Sequence, residues 1–156
     1  MRTITLIIIH CSATPEGKDY TVQDIDRWHK ARGWKGIGYH YVIYQDGSIH
    51  KGRPESQVGA HCLNHNKHSI GICYIGGTRE VRDPINHKLL TINPSDTRTE
   101  AQKRSLRALF VELKRSYPRA LIMGHNVFEP QKACPCFDAA KEYADLQPMN
   151  EARAER

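Results

Sequence analysis

Three residues of this 156-residue chain have the types and spacing to share one metal ion. His10 closes the apolar run Leu6-Ile7-Ile8-Ile9, His125 closes Ala120-Leu121-Ile122-Met123-Gly124, and Cys134 follows nine residues after His125. Two neutral imidazoles and a thiolate form a borderline-soft donor set that suits zinc better than magnesium or calcium. Three protein ligands leave the fourth tetrahedral position open, as in a catalytic rather than a closed structural zinc site. Water in that position titrates near ~7, so such a site supplies hydroxide at neutral pH and polarises a carbonyl. The ligands are scattered and no His-Glu-x-x-His helix is present. Spacing alone therefore leaves a second reading open, in which His10 is a hydrogen-bonded histidine at a strand end.

For the imidazoles to meet, the two runs must be neighbouring parallel strands that open at the same end of a sheet. The stretch from Asn126 to Cys136 must then fold Cys134 back towards them. Leu6 to Ile9 is unbroken and mostly β-branched, which predicts a strand buried on both faces. Thr21 reads as a helix N-cap with Asp24 three residues on, and Gly33 as the terminator. Val22, Ile25 and Trp28 or His29 share one face, with Trp28 in the core. Tyr39 to Tyr44 has strand composition, Gln45-Asp46-Gly47-Ser48 is a turn, and Ile49 to Gly52 returns as its hairpin partner. Ser69 to Ile75 is a further strand, in which Gly71 marks a close backbone approach or a bulge. Thr78 to Arg98 is polar and carries Pro84 and Pro94, so it reads as a surface excursion without structure of its own. Thr99-Glu100-Ala101-Gln102 is a capping box that opens a helix striped with Leu106, Leu109, Phe110, Leu113 and Tyr117. Phe137 to Leu146 forms a short helix, and Gln147 to Arg156 is a charged, frayed tail. The alternation of elements predicts a single α/β domain over residues 1–146, followed by a tail over 147–156. Its core is a central mixed sheet of about five strands flanked by helices, with the metal site at the sheet edge.

A hydrophobic content of 39% and a charged content of 26% are those of a soluble globular protein. The net charge of +6 fits an anionic polymer, whether nucleic acid or bacterial cell wall, without choosing between them. Five cysteines cannot all pair within one chain and lack the dense spacing of a disulfide scaffold, which predicts a reducing compartment. The apolar run after Met1-Arg2 is too short for a signal peptide, and His10-Cys11 stands where a small-residue cleavage site belongs. No segment approaches transmembrane length. The expectation is a chain made in the cytoplasm that acts elsewhere only after release or export.

The chain resembles the type 2 N-acetylmuramoyl-alanine amidase family, the zinc amidase fold of phage amidase-type lysozymes and peptidoglycan recognition proteins. The matching pieces are His10-Cys11-Ser12-Ala13-Thr14, Trp28-His29-Lys30 with Gly33-Trp34, Gly38-Tyr39-His40-Tyr41 and Asp46-Gly47. They continue in family order through Gly59-Ala60-His61, Asn64, Ser69-Ile70-Gly71-Ile72, Gly76-Gly77, Gly124-His125 and Lys132-Ala133-Cys134-Pro135 with Phe137-Asp138. The resemblance implies zinc held by His10, His125 and Cys134, the residues already singled out on chemical grounds. It also implies catalytic roles for Tyr39 and Lys132, whose hydroxyl and ammonium can serve the oxyanion of an attacked amide. One of these, or a neighbouring group, passes a proton to the departing amine. His61 and Asn64 fall in the stretch that lines the substrate cleft, which implies contact with the peptidoglycan stem peptide. Cys136 is a rival thiol in the same loop, with Cys134 preferred because Lys-Ala-Cys-Pro matches in register.

The implied activity is zinc-dependent hydrolysis of the amide between N-acetylmuramic acid and L-alanine. A non-catalytic peptidoglycan-binding module on the same fold is the alternative, which the Cys134 ligand disfavours. A regulatory binder of a protein or nucleic acid is a third class, permitted by the charge alone. The expected partner is peptidoglycan, with no membrane span, no nucleic acid and a monomeric state.

Overall fold

The structure, a computed structural model, describes residues 2–148. Its centre is β1 (Leu6–Cys11), in which every residue is buried. Ile7, Ile8 and Ile9 have no solvent exposure at all, so the unbroken apolar run does lie covered on both faces. On one side of β1 lies β5 (Ser69–Tyr74) and on the other β8 (Leu121–Gly124), both parallel to it. Two further strands, β3 (Tyr41–Ile43) and β4 (Ile49–Lys51), form the antiparallel hairpin around Asp46-Gly47. The five-stranded sheet has the order β4-β3-β5-β1-β8, parallel except at β4.

Helices cover both faces. Helix α1 (Val22–Ala31) begins with the Thr21–Asp24 capping box and places Ile25 in a cluster with Ile37, Val42 and Ile75. Helix α2 (Glu100–Ser116) begins with the Thr99–Gln102 box and lays Leu106, Leu109, Phe110 and Leu113 over Ile7, Ile9, Ile70 and Ile72. Each fully buried isoleucine or leucine contributes about 1.5–3 kcal/mol of transfer free energy. Gln102 is the polar member of the α2 stripe, and its Nε2 donates to the backbone oxygens of Ile43 and Ile75 at 3.2 and 3.0 Å.

The stretch from Thr78 to Arg98 departs from the sequence expectation. It is a β-hairpin, with β6 (Gly77–Arg82) antiparallel to β7 (Leu89–Pro94). With β2 (Thr14–Pro15) pairing parallel to β6, it makes a second, three-stranded sheet. The hairpin was illegible because β7 is exposed at every position, so no in-out alternation marks it. Pro84 does not interrupt a strand but sits in the turn, where Asp83 Oδ1 accepts from the backbone N–H of Ile85 and Asn86. Pro94 ends β7, a position that needs no ladder donor.

The C-terminal region also differs. Residues 137–146 hold not one helix but α4 (Ala139–Glu142) and a 3₁₀ turn over Ala144–Leu146, while the loop after β8 opens with the short helix α3 (His125–Phe128). Gln147, expected in a frayed tail, is tied to the sheet: its Oε1 accepts from Ile122 N at 2.8 Å and its Nε2 donates to Ile122 O at 2.7 Å. The remainder of the expected tail, residues 149–156, lies outside the described residues.

Candidate metal centre and substrate cavity

Register brings the two histidines together. Ile9 pairs with Gly124 across β1 and β8, so the next residue of each strand, His10 and His125, emerges at the same end of the sheet. Their ring centroids are 4.5 Å apart. Cys134 completes the group: one donor atom from each of His10, His125 and Cys134 lies within 4.8 Å of the others. It is the one such cluster among the described residues.

The loop that carries Cys134 is fastened at several points. The backbone N–H of Cys11 donates to Cys134 Sγ at 3.1 Å, and the Tyr74 hydroxyl donates to Pro135 O at 2.7 Å. Further along, the buried Arg98 guanidinium stacks 3.4 Å over the Phe137 ring while it binds Asp96 and Glu142. Cys136 is turned elsewhere. Its φ is +73° and its thiol points to Gly77 O at 3.4 Å, so it does not join the histidines. Cys11 adjoins His10 in sequence, but strand alternation sends its thiol to the opposite face, among the residues under α2. Its contact with Cys134, together with burial, pushes that thiol up to about 12.

The donor set fits a borderline-soft divalent cation. Burial drives the His10 imidazole well below its ordinary range, reinforced by His61, His125 and Lys132, so it stands neutral as a ligand must. His10 Nε2 is engaged by His61 Nδ1 at 2.8 Å. His125 Nε2 faces Glu129 Oε2 at 3.1 Å, off the axis of a well-formed hydrogen bond.

These residues form the floor of a cavity of about 600 Å³, lined also by His29, Arg32, Trp34, Tyr39, His61 and Lys132. A second hollow of about 560 Å³ beside Cys136 and Phe137 contains no cluster of metal donors. Tyr39 sits beside the metal group, its ring 5.2 Å from that of His10. Burial, aided by the nearby thiols of Cys73 and Cys134, raises its hydroxyl well above the ordinary phenol range and keeps it a donor. Lys132 reaches the same cavity from the Cys134 loop, with its ammonium 3.5 Å from Glu129 Oε2.

The two residues expected to contact substrate fall in different places. His61 lines the cavity, but both of its ring nitrogens are used inside the protein, Nδ1 on His10 and Nε2 on Ser69 Oγ at 3.1 Å. Burial, then His40 and His125, lowers this imidazole to about 3. Asn64 does not reach the cavity: it takes a left-handed φ of +71° and faces solvent. Asn66 lines the wall in its place, its Oδ1 accepting from the N–H groups of His61 and Cys62.

Sequence reasoning missed His29, Arg32, Trp34 and Glu129. His29 and Trp34 left traces, since both lie in motifs that carry the resemblance, and His29 also continues the buried face of α1 from Ile25. His29 Nδ1 accepts from Gly38 N at 2.9 Å, which fixes the approach to Tyr39. Gly71 proves to be a close approach, but of a side chain rather than of backbone: a Cβ there would lie 2.5 Å from His61 Cδ2.

An α/β sheet that brings two histidines to the carboxyl ends of adjacent parallel strands, with a cysteine of the following loop beside them under an open cavity, forms a candidate metal site where such folds place their chemistry. The family model described as N-acetylmuramoyl-L-alanine amidase matches residues 1–137. The endolysin of Klebsiella phage KP32 is 42% identical over 132 residues, covering 85% of this chain and 80% of that protein. The endolysin of Escherichia phage T7 is 41% identical over 132 residues, with the same coverage of 85% and 80%. Among solved structures, the N-acetylmuramoyl-L-alanine amidase LysC from Clostridium intestinale URNW matches with a TM-score of 0.72 and 32% identity, over 93% of this chain and 86% of that one. Wild-type Drosophila PGRP-LB shares the fold, with a TM-score of 0.67 at 24% identity over 94% of this chain and 81% of its own. The chain belongs to the N-acetylmuramoyl-L-alanine amidase family, and it is an enzyme of that activity. No helix among the described residues is long and apolar enough to cross a membrane.

Proposed function

We propose that this amidase is zinc-dependent and cuts the bond between N-acetylmuramic acid and L-alanine in bacterial peptidoglycan, in the manner of an endolysin. The observation that carries the reading is the convergence of His10, His125 and Cys134, with donor atoms within 4.8 Å of one another, in a cavity that Tyr39 and Lys132 also line. When bound there, zinc supplies a Lewis acid and an activated water. The chain's own residues do the rest. Tyr39, kept protonated by burial, donates a hydrogen bond to the oxygen that gains charge as the amide carbonyl is attacked. The Lys132 ammonium adds a positive charge at the same wall, and Glu129 holds it near the histidines. Arg32 and Trp34 form the outer wall, with the guanidinium 5.4 Å from the centre of the indole, and face the part of the substrate that projects from the cavity.

The charge of +6 favours retention on an anionic wall over free diffusion. Access to that wall follows release from the cell in which the protein is made, as the endolysin relatives suggest. The test is a digest of purified cell wall with the product ends identified by mass. Release of peptides with a free L-alanine amine, abolished by chelation and restored by zinc, is the expected outcome. Glycan or peptide cleavage instead, or activity indifferent to chelation, would overturn the reading.

A further inference from the structure

We infer that His61 and Glu129 are positioning residues for the two histidine ligands. Each engages the Nε2 of one imidazole and so leaves Nδ1 as the nitrogen free to bind metal. The proposal rests on the zinc reading above and goes beyond it to residues that do not themselves touch the ion.

The His61 half follows from proton order along a chain of contacts. His10 Nε2 lies 2.8 Å from His61 Nδ1, and His61 Nε2 lies 3.1 Å from Ser69 Oγ. A neutral imidazole has one N–H and one lone pair. If His10 gives its Nδ1 lone pair to a metal, its proton must sit on Nε2 and be donated to His61 Nδ1. His61 then carries its own proton on Nε2 and donates it to Ser69. The opposite order would aim the His10 lone pair at His61 and leave an N–H facing the metal position, so the contacts support metal binding in one tautomer only. His61 has little freedom to abandon this role. Its ring stands edge-on to those of His10 and His40, at 89° and 81°, and it rests on the bare backbone of Gly71. Its backbone N–H is held by Asn66 Oδ1 at 2.8 Å.

The Glu129 half follows from two buried atoms without hydrogen-bond partners. His125 Nε2 and Glu129 Oε2 are both shielded from solvent, make no hydrogen bond, and face each other at 3.1 Å. A buried carboxylate oxygen and a buried ring nitrogen in that relation are each costly if left unpaired. Pairing them with the proton on Nε2 turns His125 into the same tautomer as His10. The same oxygen lies 3.5 Å from Lys132 Nζ, so one carboxylate orients a ligand and holds the catalytic ammonium nearby. Groups that accept the second N–H of a metal-bound imidazole fix its ring orientation and strengthen its basicity, and their loss weakens metal binding by about 10- to 100-fold.

The experiment is a chelator competition that measures zinc affinity of the whole protein, with thermal unfolding of each metal-free variant as a control. His61→Ala and Glu129→Ala should each weaken zinc about 10- to 100-fold. His61→Asn, whose amide oxygen can accept in place of Nδ1, and Glu129→Gln should stay within about threefold of wild type. If His61→Ala does not fold, the two Glu129 variants carry the comparison. Unchanged affinity in the alanine variants, or equal loss in the amide variants, would overturn the proposal while leaving the zinc reading intact. A wild-type protein that binds no zinc would overturn both.

Discussion

Replacing Gly71 by alanine tests how tightly the floor of the site is built. The new Cβ would lie 2.5, 2.6 and 2.7 Å from Cδ2, Cγ and Nε2 of His61, where ordinary contact between such atoms needs about 3.5 Å or more. The ring must therefore move by about 1 Å. It is not a free end that can swing aside, because His10 holds it at 2.8 Å and Ser69 at 3.1 Å. Forced overpacking costs roughly 1–3 kcal/mol. Weakening two hydrogen bonds adds about 0.5–1.5 kcal/mol each, and the smaller backbone entropy of alanine returns about 0.5–1 kcal/mol. The net expectation is a loss of about 2–4 kcal/mol, read by urea denaturation of the metal-free protein. The decisive arm is a double-mutant cycle. In a His61→Ala background the space is open, so Gly71→Ala should then cost less than about 1 kcal/mol. An equal cost in both backgrounds would refute the steric reasoning, and wild-type stability in the single variant would refute the geometry beneath it.

Four other outcomes are expected. Arg98→Met strips a fully buried guanidinium from Asp96, Glu142 and the Tyr143 hydroxyl. Losing one side of a buried pair costs about 3–5 kcal/mol, but both carboxylates here are partly solvated, so urea denaturation should show about 2–3 kcal/mol. The Arg98 hydrogen bond holds the Glu142 carboxyl below its ordinary range. That contribution is present above the ordinary carboxylate pKa of about 4.3 and disappears as pH falls through the lower folded value, so the melting temperature should drop below about pH 4 more steeply in wild type than in Arg98→Met. Tyr39→Phe should lower kcat for wall digestion by about 10²–10³ while zinc content stays unchanged, and a near-normal kcat would remove the hydroxyl from the chemistry. Ile85→Ser and Leu90→Thr alter side chains that are 89% and 62% exposed, so each should shift stability by less than about 0.5 kcal/mol in denaturation.

What could be read from the residues followed from local rules acting alone. The run Leu6 to Ile9 declared a strand covered on both faces, the boxes Thr21–Asp24 and Thr99–Gln102 declared helix starts, and Asp46-Gly47 declared a hairpin. The grouping of His10, His125 and Cys134 as a candidate metal site is legible because two histidines end apolar runs, and a strand end is where an α/β sheet exposes its chemistry. The resemblance added Tyr39 and Lys132, which no spacing rule would have chosen. Other features depended on packing between distant segments. Glu129 carries no signal in the sequence, because only the turn after β8 sets it against His125. His61 lines the cavity as a cleft residue should, and only the packed structure shows that both its ring nitrogens are also taken, by His10 and Ser69. The β6–β7 hairpin escaped notice because a ribbon wetted on both sides has no reason to alternate apolar with polar residues.

The Gln147 amide has a consequence for solubility. Strand β8 is the last of the five, and among the described residues no sixth strand satisfies the outward N–H and carbonyl of Ile122. Gln147 returns from the 3₁₀ turn and meets both groups with one planar amide, at 2.8 and 2.7 Å, as a single peptide unit of a neighbouring strand would. An open rim of this kind is a template for pairing with another molecule. A fragment ended at residue 146 would keep every residue proposed above for catalysis or metal binding, yet it would present a bare sheet edge to its neighbours. The shortest well-behaved piece of this enzyme therefore ends after Gln147, and the reason is colloidal rather than catalytic.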